Sequence, residues 1–140
     1  WTAWAKQANV LPWPRNRKGK RRIEAGVKMQ AQSWSEDGGK TWSAVTATSL
    51  PNPSAGTDAA TLSDGRQLLV FNPLERGRRI LALAQSTDGK EWKTILTLEK
   101  EDKGEFSYPA IIQAKDGKVH ITYTWMRQSV KHIVLDPEKL

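Results

Sequence analysis

The sequence predicts an all-β protein, and three observations lead to that prediction. Asp-Gly turns divide the chain after residue 30, at Asp37-Gly38, Asp64-Gly65, Asp88-Gly89 and Asp116-Gly117. The segments between these turns are short, and they either alternate apolar with polar residues or are rich in β-branched residues, as strands are. Beyond residue 30, no apolar stripe of helical period is long enough to predict a helix. Because Asp and Gly tolerate the backbone of tight hairpins, we expect antiparallel sheets with almost no helix.

Each predicted strand runs between two turn or loop signals, and all are short. In chain order they are Met29–Trp34, Ala59–Leu62, Gln67–Asn72, Ile80–Ser86, Thr94–Leu98, Ala110–Ala114, Val119–Thr124 and Lys131–Leu135.

Composition limits the classes of protein that fit this pattern. A chain of 140 residues has room for one small domain, and its mean hydropathy of -0.62 with no apolar run of membrane-spanning length excludes a transmembrane helix. The absence of cysteine excludes disulfides, a thiolate nucleophile and cysteine zinc sites. Because the sequence begins at Trp1 with neither an initiator Met nor a leader, we expect it to be cut from a larger protein.

The positive charge is concentrated at one end of the chain. Residues 1–40 carry a net charge of +6, whereas residues 41–140 carry +1. A basic arm that binds nucleic acid has this composition, and steep salt dependence of binding would support that function. We favour a solvated segment, because the rest of the chain shows no nucleic-acid-reading motif. The sequence therefore predicts an atypical basic segment over residues 1–28 and a repeat-containing domain over residues 29–140.

Two interleaved repeats share one period. The box Ser35–Trp42 (SEDGGKTW) recurs as Ser86–Trp92 (STDGKEW), 51 residues later. The turn at Asp64 recurs at Asp116, 52 residues later. A period near 50 suits one four-stranded blade of a propeller. The Ser and Asp of each box can hydrogen-bond their own turn and the Trp can cover the hairpin, which predicts a structural role.

The box resembles the Asp-box (BNR) repeat of sialidases, and the resemblance extends over roughly residues 29–137. The segments that carry it are LPNPSAGTD (50–58), LSDGR (62–66), FSYPAIIQ (106–113) and VHITYTW (119–125). The resemblance implies two to three blades of a six-bladed propeller, completed by the rest of a longer protein or by self-association. It also implies a secreted or periplasmic location.

Family chemistry implies which residues to examine. Sialidases hold the carboxylate of a sialic acid with three arginines and attack the sugar with a tyrosine. By resemblance, Tyr108 is the nucleophile, Arg78 the third arginine and Arg22 the second, while Asp58 lies at the mouth of the site. Rival positions are Arg76 and Arg79 for the third arginine and Arg21 for the second. The Glu that serves as base in sialidases has no counterpart in residues 5–10, and the first arginine and the acid/base Asp belong to blades that the resemblance does not cover.

The expected function is therefore that of a retaining, sialidase-like glycoside hydrolase with a sialoside or related acidic glycan as partner, inactive as this short chain. A non-catalytic carbohydrate-binding or scaffold propeller is the first alternative, and a basic nucleic-acid-binding module is the second. Structural readings compete for each site residue: Tyr108 as a buried strand aromatic, Arg78 as part of a solvated loop, Asp58 as a turn cap. No cofactor is expected. His120 and His132 are expected to be isolated, with no carboxylate partner at metal-ligand spacing, so no metal site is expected either.

Overall fold

The computed structural model describes residues 28–140 and shows nine β-strands. They are β1 (Met29–Gln32), β2 (Thr46–Pro51), β3 (Asp58–Thr61), β4 (Gln67–Phe71), β5 (Ile80–Ser86), β6 (Lys93–Lys100), β7 (Phe106–Gln113), β8 (Val119–Trp125) and β9 (Ser129–Leu135). One 3-10 turn, Pro137–Lys139, follows β9. The prediction of an all-β fold is confirmed.

These strands form three antiparallel sheets in chain order. The first sheet is β1-β2, the middle sheet is β3-β4-β5-β6 and the third sheet is β7-β8-β9. The middle sheet has the four strands predicted for a blade, whereas the described residues give two strands to the first sheet and three to the third. Strand β2 was missed, because its sequence TATSLP has few apolar residues and only Thr48 and Leu50 are buried.

The middle sheet is buried on both faces. Leu68, Val70, Leu81 and Leu83 pack against Ile111, Val119, Ile121 and Tyr123 of the third sheet, in one cluster with Leu62 and Phe106. On the opposite face, Leu69, Phe71, Ala82 and Ala84 pack with Leu50 of the first sheet. The sheets are thus stacked in sequence order, with apolar side chains filling both interfaces.

Only one face of the third sheet is covered by another of the described sheets. In the rows Ile112–His120–Val134, Ala110–Thr122–His132 and Thr124–Val130, paired residues project on the side away from the middle sheet. Ile112, Val130 and Val134 are 56%, 72% and 46% exposed. We call this side of the third sheet the outer face.

Hydrogen bonds between residues of the same box stabilise both Asp boxes. In the second box, the Ser86 hydroxyl is buried and accepts a bond from the backbone N–H of Gly89 (2.8 Å), while the Trp92 indole donates to the Gly89 carbonyl (3.1 Å). The first box repeats the indole bond from Trp42 to Gly39, also at 3.1 Å. Trp92 also packs against the cluster shared by the first and middle sheets. Each box therefore stabilises a hairpin, as its residue types predict.

Candidate functional site

The candidate site lies where the loops before β5 and before β7 meet. Arg78 and Glu105 form an isolated parallel bridge between these loops, and the Phe106 N–H donates to the Arg78 carbonyl at 2.8 Å. Below this junction the fully buried Asn72 donates from its amide nitrogen to the carbonyls of Ile80 (2.7 Å) and Phe106 (2.9 Å). One side chain, directly after the end of β4, thereby fixes the starts of β5 and β7 relative to each other.

The Arg78 guanidinium is held from three sides. It donates from Nη1 to Glu105 Oε1 at 3.2 Å and from Nη2 to the Ser54 carbonyl at 3.4 Å. Its central carbon lies 5.4 Å from the centroid of the Tyr108 ring, which is within cation–π range. Arg78 and Tyr108, 30 residues apart in the sequence, are thus brought together, and the Arg78 side chain is only 23% exposed.

Glu105 joins Arg78 to a second arginine. Its Oε2 accepts from Nε and Nη2 of Arg127, both at 2.8 Å, and its Oε1 accepts from the Ser107 hydroxyl at 3.0 Å. Burial acts to raise the pKa of Glu105, but the bonds from Arg127 and Ser107 and the charges of both arginines lower it overall. Glu105 is therefore ionised at neutral pH, and its lowered pKa makes it a weak proton acceptor, which suits it to orient the arginines.

Backbone strain is concentrated around this junction. In residues 28–140, the non-glycine residues with positive φ are Ser54 (64°), Tyr108 (52°), Met126 (53°) and Arg127 (56°). Ser54 accepts from Arg78, Tyr108 lies beside Arg78, and Arg127 binds Glu105. Such conformations cost of order 1–3 kcal/mol each, and they cluster at functional sites. Three of the four strained residues therefore contact the Arg78–Glu105 pair directly.

Tyr108 is held in an exposed position by its backbone. The pairing of β7 with β8 shifts register between Ser107 and Ala110, which forms an irregularity around Tyr108 and Pro109. The Tyr108 side chain is 67% exposed, so the alternative of a buried strand aromatic does not describe it. Directly after this irregularity, the Ile111 N–H donates to Asp58 Oδ2 at 2.9 Å, which ties β7 to β3. Asp58 thus anchors the segment that carries Tyr108.

Arg22 lies outside the described residues, as do Arg21 and the segment expected to contain the base. Arg79 is exposed and donates to the Glu101 carbonyl at 3.5 Å, and Arg76 is also exposed. Of the three candidates for the third arginine, Arg78 is the one placed against Tyr108. The functional role of each of these residues stays a prediction.

Sequence reasoning missed Glu105, Arg127 and Asn72. Glu105 lies three residues before Tyr108, and this proximity was an available signal. Arg127 gave none, because the β8–β9 hairpin turns through Met126 and Arg127, both with positive φ, where Asn and Gly are the usual residues. Asn72 is recognisable only from the contacts of its amide, which come from two distant loops.

The stacked antiparallel sheets, the Asp boxes and their period define the class of the protein as a blade-type repeat protein. The family model for the BNR repeat-like domain matches residues 10–121. The chain therefore belongs to the BNR repeat-like family, and its three sheets have the architecture of a fragment of a BNR propeller. No curated protein matches the chain. Within residues 28–140, no helix has the length and apolar character that crossing a membrane requires.

Proposed function

We propose that this chain supplies the tyrosine and one carboxylate-binding arginine of a sialidase-type site that binds, and in a complete propeller cleaves, an acidic glycoside. The observation that carries the proposal is the placement of the Arg78 guanidinium 5.4 Å from the exposed Tyr108 ring. A sugar with a carboxylate beside its anomeric carbon would contact both groups at once. The strained Tyr108 backbone supports a functional role, since strain is retained where it positions a side chain.

The two arginines account for recognition of an acidic sugar. Arg78 and Arg127 approach Glu105 from opposite sides, and their charges exceed its single negative charge. Arg127 is 74% exposed, so its outward N–H groups can reach a ligand in solvent. Guanidinium groups bind carboxylates in a planar, bidentate manner, which gives both affinity and orientation. A neutral sugar has no carboxylate to accept hydrogen bonds from the N–H groups that Glu105 leaves free.

Tyr108 would act as the nucleophile in the complete protein. Its phenolic oxygen attacks the anomeric carbon as the glycosidic bond breaks, its proton passes to a base, and an acid protonates the departing oxygen. Water then hydrolyses the covalent glycosyl–tyrosine intermediate, and the anomeric carbon of the product has the same configuration as in the substrate. Glu105 is a weak base because, despite its burial, the two arginines and Ser107 lower its pKa. We therefore expect the base to come from another part of the complete protein, and residues 1–140 alone to bind the ligand without turnover.

Binding by the isolated chain tests the recognition step. Titration with N-acetylneuraminic acid, followed by NMR, should shift the resonances of Tyr108 and its neighbours, whereas N-acetylmannosamine, which lacks the carboxylate, should not. Arg78→Gln should abolish the shifts. Arg79→Gln, which removes an adjacent exposed arginine, is the matched control and should retain them. Equal shifts in both variants, or none in the unsubstituted chain, would overturn the assignment of Arg78.

Turnover by the complete protein tests the nucleophile. Tyr108→Phe should abolish cleavage of a fluorogenic sialoside without changing the fold, because only a hydroxyl is removed. Retained cleavage would contradict the role of Tyr108.

A non-catalytic glycan-binding propeller is the second candidate, and the commitment of Glu105 to the two arginines favours it. On this alternative, the complete protein binds the acidic sugar through Arg78 but shows no turnover.

We also propose that a further sheet of the same kind covers the outer face in the assembled protein. The described sheets stack in one direction, and the outer face is the next surface in that series. For the 140-residue chain alone, the occupant would be a second copy. Light scattering should then show a mass that rises with concentration and falls towards the monomer in Val130→Glu, since Val130 is the most exposed large apolar residue of this face. A monomer at high concentration would contradict this proposal.

A further inference from the structure

The outer face carries a close pair of histidines. His120 of β8 and His132 of β9 lie on neighbouring rows of the sheet, and His120 Nδ1 is 3.0 Å from His132 Nε2. Their rings are nearly parallel, with an interplanar angle of 14°. The two histidines, each expected to be isolated, are therefore in contact, because antiparallel pairing of β8 and β9 brings together residues 12 positions apart.

From this geometry we propose that His120 and His132 form a binding site for a late first-row divalent metal ion such as Zn²⁺. Bonds of about 2.0–2.1 Å from one zinc ion to two imidazole nitrogens place those nitrogens about 3–3.4 Å apart at angles near 90–109°. The observed 3.0 Å lies at the lower end of that span, but the ring centroids lie 5.2 Å apart, so the two nitrogens face each other nearly in line, as in an N–H···N hydrogen bond. Metal binding then requires a tautomeric shift of that proton to the other ring nitrogen, which frees the lone pair, and a rotation of the rings that turns both lone pairs towards one ion.

The surroundings of the pair suit imidazole ligation. Both rings project from the paired strands β8 and β9, which fix the backbone positions of the two residues while the rings can rotate. In the monomer, whose outer face is open, His132 is exposed and His120 half-buried, so an ion can reach both nitrogens. The described residues contain no group of three or more His, Cys, Asp or Glu side chains around a common point. Water would therefore complete the coordination of the ion.

Comparison with the middle sheet shows that packing between sheets does not require histidine at positions 120 and 132. With the 52-residue period that superposes Asp64 on Asp116, His120 occupies the position of Leu68. His132 pairs with Thr122 as Leu83 pairs with Val70, so it occupies the position of Leu83. Both leucines are fully buried against the third sheet. The two leucine positions thus carry the pair of metal-binding side chains in the third sheet.

The composition of the chain makes the site directly testable. The 140 residues contain two histidines, both in this pair, and no cysteine. Imidazole nitrogen and thiolate sulfur are the ligands that zinc prefers, so binding that depends on them can be assigned to this site.

Calorimetric titration of the untagged chain with Zn²⁺ at pH 7.5, at a concentration at which light scattering shows a monomer, should show one ion bound per chain. Removing only the hydrogen-bond partner of a metal ligand weakens metal affinity about 10- to 100-fold. Removing a ligand itself, in His120→Gln or His132→Gln, should therefore weaken binding at least about tenfold. The double variant should abolish the saturable binding. Val134→Gln places the same new side chain on the same face and keeps both imidazoles, so it should bind as the unsubstituted chain does.

NMR provides a second readout that does not depend on heat. A diamagnetic Zn²⁺ titration should shift the ring resonances of both histidines together, with saturation at one equivalent. Circular dichroism of each variant establishes that it is folded. Absence of saturable binding, or equal binding by the folded double variant, would overturn the proposal, and neither result would affect the assignment of Arg78 and Tyr108.

Discussion

The middle sheet and the third sheet share a 52-residue spacing but bury different numbers of faces. In the middle sheet, Leu68 and Val70 pack against the third sheet and are fully buried. The corresponding positions of the third sheet are His120 and Thr122, and these lie on the outer face. The opposite face is apolar in both sheets, because both press it against the preceding sheet. Position in the stack, rather than the repeat itself, thus determines whether a face must be apolar.

This comparison separates residues that maintain the fold from residues that are free to serve another purpose. A leucine enclosed between two sheets contributes through burial and through close packing. A side chain at the equivalent position on an open face is released from that requirement. The candidate site, at the end of the third sheet, shows the same contrast. Tyr108 is exposed and does not contribute to the core, whereas Tyr123 of β8 is buried in it.

The largest expected effect comes from truncating equivalent positions in the two sheets. Leu83→Ala should destabilise the chain by about 2–5 kcal/mol, because it leaves a cavity between the middle and third sheets. In the monomer, His132→Ala at the equivalent position should change stability by no more than about 0.5 kcal/mol in metal-free buffer. Urea denaturation followed by circular dichroism measures both. Similar losses at the two positions would show that the outer face is covered in solution.

The next effect distinguishes the two tyrosines of the third sheet. The Tyr123 hydroxyl donates to Glu99, which also pairs with Lys131. Tyr123→Phe should therefore lower the free energy of unfolding by about 1 kcal/mol. Tyr108→Phe should leave it unchanged, because an exposed hydroxyl hydrogen-bonds to water in both the folded and the unfolded state. A loss of about 1 kcal/mol in Tyr108→Phe would favour a structural role for that residue.

Alkaline pH sharpens the same contrast. Burial, followed by the hydrogen bond and charge of Glu99, raises the pKa of Tyr123 well above its usual value near 10. Because the folded state retains the phenolic proton at higher pH than the unfolded state does, this stabilisation is present below pH 10 and is lost as pH rises through the raised pKa. Ultraviolet difference spectra should show Tyr123 ionising only with unfolding, and Tyr123→Phe should abolish that late transition.

The smallest effect concerns the first Asp box. Hydrogen bonds from the Thr41 side chain and backbone are the main cause that lowers the pKa of Asp37 to about 2. Since the lowered value belongs to the folded state, the stabilisation is present above the ordinary pKa near 3.8 and is lost as pH falls towards 2. Thermal melts between pH 5 and pH 2 should show a shallower acid decline for Asp37→Asn than for the unsubstituted chain. Parallel curves would mean that the box does not couple to folding.

The sequence by itself determined the all-β class and most of the strands. Turn chemistry and alternation are local properties, so Asp64-Gly65 and Asp116-Gly117 indicate their hairpins without knowledge of the fold. The Asp-box motif also carried a resemblance to the BNR family, which the family model over residues 10–121 confirms. Strand β2 escaped because its pairing with β1, rather than its own composition, makes it a strand.

The tertiary structure decided which side chains meet. The sequence singled out Tyr108 and Arg78 through a resemblance, but only the junction of two loops brings them together and adds Glu105 and Arg127. The pairing of β8 with β9 also brings His120 beside His132, which no local sequence pattern indicated. The physical reason is that cross-strand register and loop conformation depend on burial and strain summed over the whole sheet, whereas a turn depends on the few residues within it.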